Sequence, residues 1–489
     1  MGAESLVVGL AIIGIVIIVS ALLSGLVDRS GLPQVAVFIF IGAALGPAGF
    51  GIFDMTLTSP VLGIVATLSL TMVLFTDAVT LNTKVLRRYA GLAFRMLGPG
   101  TILCAALTAL VAWWLLGIQP ALAAILGAAL ASTDPVLLRG LLRRRDISLV
   151  TRQALQLESG LNDVVLLPIV VVAIALTGQN GLAQPGFGKL AFGFFILGPG
   201  AGIAIGFLAV AALDLIRKRI GVRRDYESLY SLGVAFTAYA AAEAVHGSGF
   251  LAAFAAGITI AALDVELCDC FIEYGGVTAE MLLLFTFVIF GSLLTRSGFA
   301  WIDGRTVIFA IFAILIRVPV YLLSMIGSNV DRRGRLLIAW FGPSGLSSLL
   351  LILLAVFAGV AGSDRLFWIC SLVVLISVVV HGSSPMLFAR LLSEQEPEAP
   401  PVPEPAPERP LPVLELVQPA GAQSITLDEL DRLQKSGEQV ILLDVRTERS
   451  RETSDLEAAG SIRMPPENVV AQARKLRLPK EAWLIAYCA

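Results

Sequence analysis

The stretch LQLESGLNDVVLLPIV, residues 155–170, sets two carboxylates and an amide into a run otherwise apolar enough for a membrane interior. Glu158 and Asn162 stand four residues apart, as do Ser159 and Asp163, so on a helix these four polar groups form one stripe. The residues beyond it, VVLLPIVVVAIAL (164–176), continue as lipid-compatible surface. A charged side chain at the centre of a bilayer costs on the order of 3 kcal/mol by insertion scales. The stripe must therefore face protein or a water-filled cavity. Adhesion between helices accounts for Ser159 and Asn162, but it leaves the two carboxylates unexplained.

The rest of the chain fits that setting. Of 489 residues, 57% are hydrophobic and 15% charged, with a mean hydropathy of +0.85; soluble domains carry roughly 25% charge. A net charge of −2 gives no basic footprint for nucleic acid. The five cysteines follow neither a disulfide framework nor zinc-ligand spacing, and Cys268-x-Cys270 has no histidine nearby. The N-terminal MGAESLVVGL lacks a positive region, so the first apolar run reads as a retained span rather than a cleaved signal.

A span needs about 20 apolar residues. Thirteen runs qualify, near 6–26, 33–50, 60–80, 91–116, 120–142, 153–177, 188–213, 228–245, 249–263, 277–294, 305–326, 335–360 and 366–389. With the N-terminus outside, the inner loops hold nineteen Lys and Arg against four in the outer loops. The positive-inside rule thus places the N-terminus out and the C-terminus in the cytoplasm. The acidic inner loop DVELCDCFIE (264–273) departs from this only in net charge, which the rule does not count.

Composition changes after residue 392. EQEPEAPPVPEPAPERPLP (394–412) is an acidic, Pro-rich linker expected to be extended. SITLDELDRLQKSG reads as a capped helix, with Thr426 at the N-cap and Glu429 three residues on. QVILLDVR reads as a strand, PENVVAQARKL as a helix and AWLIAYCA as a second strand, which together imply a small parallel α/β module. The expected division is a membrane domain (1–392), a linker (393–422) and a soluble module (423–489).

Ionisable residues inside spans are rare and informative. Here they are Asp77, Asp134, Glu158, Asp163, Glu243, Glu280 and Arg317, with Glu243 and Glu280 near enough to span ends to reach the interface. Arg317 is the one base placed deep in a span and needs a partner, since breaking a buried pair is very costly. Glu158 is the candidate, which leaves Asp163 without a fixed counter-ion. Burial opposes an unpaired negative charge, and a group so placed suits a carrier of either a proton or a small cation. Two spans are also interrupted: ASTDPVLL (131–138) at Pro135, and FGPSGLSS (341–348) at Gly342, Pro343 and Gly345. If the seventh run links two six-span halves, each break falls in the fifth span of its half. That is the sequence pointer to an inverted-repeat transporter with broken helices at its site; ordinary Pro/Gly kinks are the alternative.

Together these segments resemble the monovalent cation:proton antiporter superfamily of sodium/proton exchangers. ASTDPV resembles its unwound-helix motif, ESGLNDVV its ion-site helix, and HGSGFLAAFAAGI (246–258) its Ser-Gly-x-Leu-Ala segment. The resemblance spans residues 6–390. It implies an all-α polytopic membrane fold of two inverted repeats with crossed broken helices, working as a homodimer. It implies that Asp163 binds cation or proton, with Asn162 beside it, a hydroxyl from Ser159 and a backbone carbonyl at Thr133. Asp134 would balance the helix ends at the crossing, Glu158 would pair with Arg317, and Asp77 would occupy an acidic position of the third span. An Asn162–Asp163 pair, in place of two aspartates, is similar to the electroneutral branch. Where many members carry Gly-x-Arg-Gly, this chain has GPSG with Ser344, which bears on regulation and pH set-point.

The C-terminal module resembles a rhodanese domain through LLDVRTERS (442–450), AAGSIRMPPENV (458–469) and LIAYCA (484–489), with Cys488 at the position of the active cysteine. The sequence stops one residue later, so the expectation is an incomplete module without sulfurtransferase activity. The resulting reading is a secondary antiporter of the cytoplasmic membrane that exchanges Na+, or alternatively K+ or Li+, for H+ at Asp163. It is a transporter and not an enzyme, with membrane lipid as its surroundings, no cofactor and no nucleic-acid partner. The rivals are a sulfurtransferase anchored by its spans, and a channel.

Overall fold

Apolar runs in lipid become helices because every backbone N–H and C=O must be satisfied within the chain. The computed structural model describes residues 34–51, 56–81, 83–135, 147–177, 187–219, 224–263, 284–294, 302–328 and 330–393. It also describes 440–446, 460–464 and 483–487 of the C-terminal part, and isolated positions between these ranges. The described residues of the membrane part form helices joined by turns and short non-helical breaks. Its elements are α1 (Gln34–Leu45), α2 (Pro60–Thr80), α3 (Ala90–Leu116), α4 (Pro120–Ala131), α5 (Leu149–Thr177), α6 (Gly198–Arg219) and α7 (Arg224–Ala244). They continue with α8 (Gly249–Leu263), α9 (Leu284–Leu294), α10 (Gly304–Ser324), α11 (Arg332–Trp340), α12 (Leu346–Phe357) and α13 (Ser363–Ser393). Among the described residues, six helices are long and apolar enough to cross a membrane: α2, α3, α5, Gly193–Arg217, α10 and Ser363–Gly382.

The expected runs from 33–50 onward each contain helix, while the first, near 6–26, lies outside the described residues apart from isolated positions. One expectation needs correction. The fifth run does not break at Pro135: α4 ends at Ala131, residues 132–134 are non-helical, and Pro135 is already helical. Proline suits the first helical position because its fixed φ is helical and its missing N–H has no partner there anyway. The twelfth run breaks as α11 and α12, separated by residues 341–345.

Packing brings the broken helices into one place. α4 packs on α3 and α5, and α12 packs on α4, α2 and α5. α8 packs on α6 and α2 through the buried Ala252, Ala253 and Ala256, small side chains that let helix backbones approach closely. α3 carries a π-helical turn at Met96–Thr101, around Pro99, which faces α10 and α5.

The chain divides into two compact units, Met1–Leu392 and Ser393–Ala489. The second holds a three-stranded parallel sheet ordered β2-β1-β3, with β1 at Val440–Asp444, β2 at Ile462–Arg463 and β3 at Trp483–Tyr487. Asp444 closes β1 in an ion pair with Arg446, Nη2 to Oδ2 at 2.8 Å. That contact holds the carboxyl below the ordinary carboxylate range. The helix starting near Thr426, the 466–476 helix as a whole, Cys488, Cys268, Cys270 and Glu280 lie outside the described residues.

Candidate ion-binding site

α5 presents its polar stripe inward: Glu158, Ser159, Asn162 and Asp163 are all buried. The two carboxylates, five residues apart, meet different surroundings. Glu158 is saturated. Its Oε1 accepts from Arg317 Nη1 at 3.2 Å, from the Tyr321 hydroxyl at 2.9 Å and from Thr133 Oγ1 at 3.2 Å, while Oε2 accepts from Arg317 Nη2 at 3.1 Å. Arg317 also donates to the Ile338 carbonyl at 3.2 Å, and its guanidinium lies 3.9 Å from the centre of the Tyr321 ring. The Tyr321 hydroxyl is in turn 3.0 Å from that of Thr101, on the π-helical turn of α3. A buried ion pair is tolerable when further hydrogen bonds satisfy the remaining donors and acceptors, as they do for this carboxylate.

Asp163 differs. Its Oδ1 accepts from the Ser132 hydroxyl, and Ser347 at the start of α12 stands beside it. Its Oδ2 makes no hydrogen bond with the described residues, and neither does Asn162 Oδ1. The amide nitrogen of Asn162 donates to Thr133 Oγ1, so a relay runs from Asn162 through Thr133 to Glu158. The buried Asp163 Oδ2, on a carboxylate that already holds the Ser132 hydroxyl, is an oxygen donor suited to a small hard cation. Ser159 Oγ donates to the Gln156 carbonyl at 3.4 Å, which leaves its lone pairs for a ligand. Asp77 on α2 lies across from Gly160 of α5, where an added Cβ would come within 3.9 Å of the Asp77 Cβ.

The two breaks meet beside this place. Asp134 N donates to the Pro343 carbonyl at 2.9 Å, Ser344 Oγ to the Leu130 carbonyl at 3.0 Å, and Ser348 Oγ to the Ser132 carbonyl at 3.4 Å. The Asp134 carboxylate accepts from Leu346 N at 2.9 Å, a charge set against the positive end of α12. Gly345 is required there, because a Cβ on it would overlap the Asp134 carboxylate. At Gly342 a Cβ would overlap the Arg317 guanidinium, which its pair with Glu158 prevents from moving aside.

The structure therefore gathers Asp163, Asn162, Ser159, Thr133, Asp134, Glu158 and Arg317, with Asp77 alongside. Glu243 sits apart, exposed, and accepts from Gly249 N at the start of α8. Ser132, Ser347 and Tyr321 are members the sequence did not single out. Tyr321 follows Arg317 by four residues, one helical turn, and Ser132 and Ser347 adjoin the two breaks.

Residues 15–389 match the model of a transmembrane family described as sodium/hydrogen exchanger. The chain belongs to the sodium/hydrogen exchanger family. The K(+)/H(+) antiporter NhaP2 of Shewanella sp. (strain MR-4) is 26% identical over 390 residues, 78% of this chain and 66% of that protein. The K(+)/H(+) antiporter NhaP of Alkalimonas amylolytica is 26% identical over 405 residues, 81% of this chain and 68% of that protein. This exchanger-family chain thus spans about two-thirds of the length of the curated relatives it matches. Its fold is that of the sodium proton antiporter MjNhaP1 from Methanocaldococcus jannaschii, with a TM-score of 0.66 at 18% identity, over 80% of this chain and 99% of that one.

Proposed function

We propose that this chain is a secondary antiporter of the cytoplasmic membrane that exchanges a monovalent cation for a proton at Asp163. The observation that carries this is the contrast between two buried carboxylates on one helix. Glu158 is neutralised by Arg317, whereas Asp163 keeps an oxygen with no hydrogen bond among the described residues. Proton and cation compete for that oxygen, and the site opens to each side of the membrane in turn. The crossing of residues 132–134 and 341–345 supports this cycle. Non-helical backbone at membrane depth is tolerated where it is buried in protein or lines a cavity, and here it carries Ser132 to Asp163. One carboxylate that holds either a proton or a monovalent cation makes the exchange electroneutral.

Na+ is the first assignment of the cargo. K+ is the second, favoured by the K(+)/H(+) antiporters of Shewanella and Alkalimonas to which the chain is similar. The membrane unit works as two inverted repeats in a homodimer, with the N-terminus outside and the C-terminal unit in the cytoplasm. That unit is a rhodanese-like module that regulates rather than catalyses. The test is pH-jump flux in proteoliposomes, with Na+ and K+ supplied separately. Proton flux driven by one of the two is expected, and flux driven by neither refutes the proposal.

A further inference from the structure

The broken end of α11 has a support outside the stripe of α5. Trp340 is the last residue of that half-helix, and its carbonyl is among those a helix end leaves without intrahelical partners. Gly342 N, two residues on, reaches it at 2.9 Å. His381, buried on α13, reaches it as well: its ring hydrogen-bonds the Trp340 backbone, and the imidazole and indole centres are 5.4 Å apart. The indole is held from the same helix, since Trp340 Nε1 donates to Ser384 Oγ at 3.2 Å and Ser384 Oγ donates to the His381 carbonyl at 3.0 Å. α13 thus grips Trp340 by both its backbone and its side chain.

The Trp340 carbonyl favours one form of the imidazole. Nδ1 stands 3.1 Å from Ser377 Oγ and 3.1 Å from the Ser377 carbonyl. If the Ser377 hydroxyl donates to Nδ1, the ring proton sits on Nε2 and points at the Trp340 carbonyl. The other tautomer would set a lone pair of Nε2 against a lone pair of that carbonyl.

A cavity joins His381 to the ion-site network. It is lined by Arg317, Gly342, Ser344, Ser377 and His381 among others, and leaves about 10 Å³ for the centre of a water-sized sphere. That is about the space one ordered water occupies. The buried Arg317 Nε–H makes no hydrogen bond with the described residues, and the Ser344, Ser377 and His381 side chains supply the further polar partners such a water needs.

We infer that His381 is a positioning residue of the ion site: through the Trp340 carbonyl, and through one water shared with Arg317, it fixes the end of α11 from which the 341–345 crossing departs. Displacement of that crossing moves Pro343 and Ser344, which bond Asp134 and Leu130, and so moves Ser132 away from Asp163. The inference rests on the proposed antiport.

The test measures apparent KM and Vmax for Na+ and K+ in proteoliposomes holding the full chain or its His381→Gln, His381→Asn and His381→Leu variants. A Gln amide nitrogen reproduces Nε2–H, whereas Asn reaches only as far as Nδ1. Gln should stay within about twofold of the unsubstituted protein, while Asn and Leu raise the apparent cation KM roughly fivefold to tenfold, the worth of one hydrogen bond. Vmax should change less than KM. If the Leu variant does not insert, the Gln and Asn pair decides alone. An unchanged KM in Asn, or equal impairment of Gln and Asn, overturns the inference and leaves antiport standing. If the unsubstituted chain exchanges neither ion, antiport itself fails and the inference falls with it.

Discussion

Removing Arg317 should cost more than neutralising Glu158, and the two losses should not add. In Arg317→Ala the Glu158 carboxylate keeps only the Tyr321 and Thr133 hydroxyls, at 2.9 and 3.2 Å, and faces the space the guanidinium filled. Breaking a buried pair from one side costs about 3–5 kcal/mol. In Glu158→Gln the amide oxygen still accepts from Arg317, and the guanidinium keeps the Ile338 carbonyl and the Tyr321 ring. That change removes the counter-charge but leaves the guanidinium its charge-assisted bonds and the Tyr321 ring, a smaller loss of about 1–3 kcal/mol. In the double variant no charge is stranded, so its loss should fall short of the sum of the single losses by at least about 1 kcal/mol. The assay is thermal unfolding of the purified variants in detergent, scored by the monodisperse fraction on gel filtration. Additive shifts, or a Glu158→Gln variant less stable than Arg317→Ala, would refute the pairing as the source of stability.

Gly345→Ala should destabilise the membrane unit by about 2 kcal/mol or more, because a Cβ there overlaps the Asp134 carboxylate at the crossing; the same thermal assay reads it. Exchange driven by a Na+ gradient should give no steady current on a solid-supported membrane, and a sustained current would contradict the single-carboxylate cycle. In the C-terminal unit, the carboxyl of Asp444 is held low by Arg446, so its stabilising contribution is complete above the unfolded-state value of about 3.9 and is lost only as pH falls below that. Amide exchange at 440–446 in the full chain, corrected for intrinsic rates, should stay protected from pH 7 to about pH 4.5. In Asp444→Asn it should already be faster at neutral pH.

Much of the membrane fold is legible in the sequence because lipid demands long apolar runs and strands no polar group cheaply. The stripe Glu158–Ser159–Asn162–Asp163 is visible for the same reason: four polar residues at helical spacing in hydrocarbon call for partners. The breaks were legible through Pro135, Pro343, Gly342 and Gly345, although Pro135 proves to start a helical segment rather than sit inside the gap. What stays hidden depends on contacts between distant segments. No local pattern says that Asp134 N will meet the Pro343 carbonyl, or that Ser132 rather than a neighbour will reach Asp163. Tyr321 and His381 read as ordinary span residues until α10, α11 and α13 are packed together, because a hydroxyl or imidazole in a span carries no charge pattern of its own.

The account turns on Asp163 as the group that cation and proton share. The direct measurement is cation-driven proton flux in proteoliposomes holding Asp163→Asn, with insertion and monodispersity checked against the unsubstituted chain. The account predicts a well-inserted protein with no cation-dependent flux, since the amide neither releases a proton nor balances a cation. Flux at the unsubstituted rate in that variant would contradict it.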